Sequence, residues 1–147
     1  MDHLLRLADE QCLRVVERPG AHLGGYQPAQ ATIRVSPGLS ERTAGSVLAH
    51  ELAHAALGHV PSSDAAVRRR QELRADEWAA RLLISPDAYA DAERLRGGHL
   101  AALAFELGVT VELVIAYQRL LRRVGDVTYV DARMGRGQWA YRTTGAD

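Results

Sequence analysis

The run Ser40-Glu41-Arg42-Thr43-Ala44-Gly45-Ser46-Val47-Leu48-Ala49-His50-Glu51-Leu52-Ala53-His54-Ala55-Ala56-Leu57-Gly58 decides how this chain is read. From Ala44 to Leu57 there is no proline and only one glycine, Gly45. Ser40 or Thr43 can cap the start, and Gly58 stands where a left-handed residue closes a helix. A helix is therefore expected. Its apolar residues Val47, Leu48, Leu52, Ala55, Ala56 and Leu57 go most of the way round, as they do in a buried helix. His50 and His54 stand four residues apart, so their imidazoles share one face about 6 Å apart along the axis and can hold one ion. Glu51 is rotated by about 100° from His50, placed to hold a water beside that ion without being a third ligand on that helix. H-E-x-x-H on a helix thus reads as a zinc site with its own general base. The competing reading, two core histidines bonded to backbone, leaves two imidazoles and a carboxylate in one buried turn that still need partners.

A third ligand is offered by the next helical stretch, about Ala65 to Leu83. Ala75, Trp78, Ala79, Leu82 and Leu83 recur there at helical intervals, and Glu72 and Asp76 fall on the same side as Ala79 and Leu83. Catalytic zinc commonly takes two His and one Glu plus water, and an inward carboxylate must be paired or metal-bound, so Glu72 fits as third ligand. Asp76, one turn on, can accept the free ring N–H of a ligating histidine. A surface charge pair on an amphipathic helix is the alternative.

These residues carry a family resemblance. The run His50 to His59, with its Gly58-His59, followed by Glu72-x-x-Ala75-Asp76-x-Trp78-Ala79-x-x-Leu82-Leu83-Ile84, resembles the ImmA/IrrE-type zinc metallopeptidases. The likeness covers at least Thr32 to Pro86, and it departs from the family pattern in Ile84, where methionine is usual, and in Ser85 before Pro86. It implies an α+β fold: a small N-terminal sheet packed on a zincin-like helical core holding both motif helices, with further C-terminal helices. It also implies Zn2+ on His50, His54 and Glu72, Glu51 as catalytic base, and a helix-turn-helix repressor as substrate partner. A non-catalytic antirepressor retaining the metal site is the alternative. His59 does not match the metzincin register, since it lies nine residues after His50 and not ten. It is expected to close the first helix, where a cation meets the last carbonyls.

Length and composition agree with this reading. A chain of 147 residues, 47% hydrophobic, can bury one core, so a single domain over 1–147 is expected, with the motif core at about 32–86 and a helical part at about 87–147. No run of 18 apolar residues occurs and Met1-Asp2-His3 opens too polar for a signal peptide, which points to the cytoplasm and away from a membrane. Cys12 is alone, so no internal disulfide forms. All 18 basic residues are arginine and the formal net charge is zero, which leaves no overall field for nucleic acid. Arg68-Arg69-Arg70 reads as a solvated face at the start of the second helix.

The remaining elements follow from periodicity and breakers. Met1 to about Gln11 reads as an amphipathic helix, Leu13 to Val16 and Thr32 to Val35 as strands, and Gly24-Gly25 with Pro28 as bounds of a turn. Thr32 to Val35, just before the metal helix, is placed to pair with an extended substrate or to serve as a plain structural strand. Helices are expected at Asp87 to Leu95, His99 to Leu107 and Val111 to Arg123, and a terminal hairpin at Thr128 to Val130 and Trp139 to Arg142. Ala104-x-x-x-Gly108-Val109-Thr110 before Val111 has helix-turn-helix spacing, but Val-Glu-Leu-Val-Ile-Ala-Tyr is too apolar and acidic to read DNA, so core packing is favoured. Tyr26, His99 and Tyr141 are the candidates for stabilising an oxyanion.

Overall fold

The computed structural model describes residues 1–123. The expected terminal hairpin and Tyr141 lie outside the described residues. The chain forms two compact units, Met1–Ala79 and a second beginning at Ala80.

In the first unit, α1 (Asp2–Glu10) buries Leu4 and Ala8, one turn apart. Three short strands follow, β1 (Arg14–Glu17), β2 (Gly24–Gln27) and β3 (Thr32–Val35), then α2 (Glu41–Ala56) and α3 (Ala65–Leu83). The sheet order is β1-β3-β2, with β3 parallel to β1 and antiparallel to β2. Ile33, Val35, Leu48, Ala49, Leu52 and Ala53 are buried and put the core between the sheet and α2. Helix α2 starts where Ser40 Oγ accepts from the Thr43 N–H at 3.1 Å. It ends in a left-handed closure at Gly58, φ +68, with the Gly58 N–H bonded to the Ala55 carbonyl (3.2 Å) and the His59 N–H to the His54 carbonyl (2.9 Å). Helix α3 begins on Asp64, whose carboxylate accepts from the backbone of Ala66 and Val67. Gln71 and Arg68 then donate to the carbonyls of Val60 and Ser62, fastening the connecting loop to α3.

The Gly24-Gly25 turn expected from composition is instead the start of β2. Of the two, only Gly24 is required by a close neighbour. A Cβ on Gly24 would lie 2.5 Å from Val47 Cγ1 and 2.9 Å from Glu51 Oε1. Gly25 lies under the Arg34 side chain, which would be 3.8 Å from such an atom. Arg34 reaches over it to donate to the carbonyls of Arg18 (2.8 Å), His22 (2.6 Å) and Gly24 (3.2 Å) and to Ser36 Oγ (3.1 Å). One guanidinium thus fastens the loop that leads into β2.

The second unit contains α4 (Pro86–Arg96), α5 (Leu100–Leu107) and α6 (Val111–Arg123). Ser85, the insertion against the family pattern, is the N-cap of α4, its Oγ accepting from the Ala88 N–H at 3.1 Å, with Pro86 in the first turn. Ile84 is buried. Gly108, φ +68, separates α5 from α6, which cross at 98°. Leu113, Val114, Ala116, Tyr117 and Leu121 of α6 are buried, so its first turns pack inward, as the apolar sequence suggested. No single helix among the described residues is long and apolar enough to cross a membrane.

Replacing Arg34 by methionine keeps the apolar stem and removes four donated hydrogen bonds. The expected cost is about 1–3 kcal/mol of stability, together with faster amide exchange in residues 19–25. Unchanged exchange in that loop would show that the guanidinium does not hold it.

Candidate metal centre

One helical turn sets His50 above His54 on α2, and α3 brings Glu72 across them. His50 Nε2 and His54 Nε2 are 3.0 Å apart. Glu72 Oε2 lies 3.1 Å from the first and Oε1 3.0 Å from the second. Each residue therefore offers a ligand atom to one small volume, and the three form a group that can hold a metal ion. In a tetrahedral zinc site with bonds of about 2.0–2.1 Å, ligand atoms stand about 3.3–3.4 Å apart. The observed triangle is slightly tighter and of the same shape, and two imidazoles with one carboxylate are a donor set zinc accepts. The residues fit the ion.

Outside the triangle, both ring Nδ1 atoms are engaged. Asp76 Oδ1 lies 2.7 Å from His50 Nδ1, where sequence spacing placed it. His59 Nδ1 lies 2.9 Å from His54 Nδ1, ring centroids 5.1 Å apart. His59 thus turns its ring to His54 and not to the helix-end carbonyls, as had been expected; its backbone N–H makes that closure instead.

The charges are mutually dependent. Burial works against the imidazolium of His50, but the carboxylates of Asp76 and Glu72 outweigh it and raise the pKa to about 10. Hydrogen bonds from His50 and His54 hold the Glu72 carboxyl well below the usual carboxylate range, against the effect of burial. Burial pushes Glu51 up, opposed by the two neighbouring imidazoles, and pushes His59 down, aided by His54. Glu51 is only 8% exposed, a carboxylate on the core side of α2 beside His50 and His54. Such a group is placed for proton transfer near the donor triangle.

Of the oxyanion candidates, Tyr26 lies two residues after Gly24 on β2 and so projects to the sheet face that meets Glu51. His99 is occupied as the N-cap of α5, its Nδ1 accepting from the Ala102 N–H at 3.2 Å. Two features of the site were not read from the sequence, the His59–His54 contact and the approach of Gly24 to Glu51. Gly58-His59 after the second ligand was the available signal for the first, since a glycine closure folds the residue after it back over the last helical turn. The second had none.

The peptidase M78 family model, described as an IrrE N-terminal-like domain, matches residues 11–117. No curated protein and no solved structure matches the chain. The matched stretch is well over half of the chain and contains both helices that build the donor triangle, and the chain therefore belongs to the IrrE N-terminal-like metallopeptidase family.

Proposed function

We propose that the protein is a zinc-dependent endopeptidase that cuts a helix-turn-helix transcriptional repressor, acting in the bacterial cytoplasm. The observation that carries the peptidase reading is the convergence of His50, His54 and Glu72 with a buried Glu51 one residue from the first ligand. A zinc ion held by that triangle would supply Lewis-acid polarisation of a peptide carbonyl. Glu51 takes a proton from the attacking water and delivers it to the leaving amine, and burial, which favours its protonated form, suits it to both halves of that task. Asp76 fixes the ring of His50 by accepting from Nδ1. The repressor as substrate is supported by the family resemblance of the two motif helices.

Strand order bears on where such a substrate would lie. Thr32–Val35 was a candidate for pairing with an extended peptide, but β3 is the central strand and is bonded on both sides. The Ser36 N–H bonds the Leu23 carbonyl at 2.8 Å, which sets the phase of the β2–β3 ladder. In that phase Gly24 and Tyr26 direct their backbone groups away from β3, toward the outer edge, where the Gly24 carbonyl is already taken by Arg34 Nη2. Glu51 lies over the face of β2 at Gly24, which supports an extended repressor segment lying along the neighbouring edge.

Three outcomes test this reading. Elemental analysis should find about one zinc per chain, lost in His54→Ala and weakened more in Glu72→Ala than in Glu77→Ala; equal losses in the last two would misassign the third ligand. Glu51→Gln should keep the zinc and the melting temperature while lowering repressor cleavage by about 10²–10⁴-fold, read as fragments by mass spectrometry. Full derepression in cells by that variant would show that binding alone suffices. Gly24→Ala should retain zinc and lose about tenfold to a hundredfold in kcat, because its Cβ displaces Val47 or Glu51. Undiminished turnover would mean that β2 does not set the position of Glu51.

A further inference from the structure

His59 is outside the donor triangle, yet the chain ties it to His54 twice. The backbone bond from the His59 N–H to the His54 carbonyl is 2.9 Å, and the two Nδ1 atoms are also 2.9 Å apart. We propose that His59 is the positioning residue for His54, accepting the His54 Nδ1–H on its own Nδ1 and carrying its proton on Nε2. The proposal rests on the metal-centre reading above.

Proton placement decides which ring is the donor. Two nitrogens at hydrogen-bond distance need one hydrogen between them. If His54 Nδ1 supplies it, His54 Nε2 keeps its lone pair for the metal. If a neutral His59 supplied it, a neutral His54 would carry its proton on Nε2, directed at Glu72, and would cease to be a ligand. The tautomer of His59 therefore decides whether His54 can bind. His50 has the carboxylate of Asp76 for the same purpose, while His54 has a neutral ring. The two ligand histidines are thus backed by acceptors of different strength.

The main chain explains why residue 59 is available. Gly58 adopts φ +68, and the paired bonds of Gly58 to Ala55 and His59 to His54 fold residue 59 back over residue 54 before its side chain chooses a direction. A Cβ at Gly58 would meet nothing within 4 Å, so the glycine serves the backbone conformation and not close packing.

The test is zinc affinity, measured by competition with a chromogenic chelator at one fixed pH, with the metal-free melting temperature recorded for every variant. His59→Leu removes the acceptor and should raise the zinc dissociation constant about 10–100-fold. His59→Asn puts an acceptor oxygen where Nδ1 was and should stay within about threefold of wild type. Independently of any variant, long-range 1H–15N correlation on the zinc-loaded wild type should show His54 protonated on Nδ1 and His59 as the Nε2–H tautomer. Wild-type affinity in His59→Leu, an equal loss in His59→Asn, or a proton on His59 Nδ1 overturns the proposal. A wild type that binds no zinc overturns the metal centre with it, whereas a zinc-binding wild type indifferent to residue 59 overturns the positioning role alone.

Discussion

The meeting of Glu72 with two imidazoles one helical turn apart is the contact on which the first unit depends. Three groups that each bind protons are held with their ligand atoms 3.0–3.1 Å apart, an arrangement that needs a shared cation or shared protons to persist. Helical pitch alone sets the two histidines. Glu72 arrives on another helix and must be brought back by the turn between them, which explains how heavily that turn is fastened. Gly58 closes α2, Asp64 caps α3, and Gln71 and Arg68 bond the carbonyls of the loop they follow. A group of three side chains divided between two helices is only as well placed as their connection.

Features governed by near neighbours in sequence were legible from it. The caps Ser40 and Gly58, the span Ala65–Leu83, strand Thr32–Val35 and helix Val111–Arg123 all follow from periodicity and end signals. The grouping of His50, His54, Glu72 and Asp76 was also readable, because four-residue spacing on a helix has one geometric meaning. Gly24-Gly25 was not. Read locally, two glycines mean a turn, whereas here both lie in a strand and Gly24 yields space to Val47 and Glu51, which are distant in sequence. Strand order was equally hidden, since nothing in Thr32–Val35 says that β1 and β2 take both its sides.

The second unit shows the same division. Helix-turn-helix spacing at Ala104 to Val111 is real as geometry: Gly108 is left-handed and the helices cross steeply. Its use is decided by composition, because a second helix that begins Val-Glu-Leu-Val buries its leading turns. Tyr89 illustrates how that interior admits polarity. The ring is fully buried, its hydroxyl accepts from Gln118 Nε2 at 3.0 Å, and burial pushes its pKa up to about 12. The departures at Ile84 and Ser85 likewise have local work, one filling the interior after α3 and the other starting α4.

An edge strand is also a hazard, because backbone groups directed away from its own sheet invite other copies of the chain to add strands without limit. The edge strand β2 answers this with poverty of means. It is four residues long, half of them glycine, with no side chains at Gly24 and Gly25 for an intruding strand to pack against. Any substitution that made β2 a better strand would also make it a better seed for aggregation.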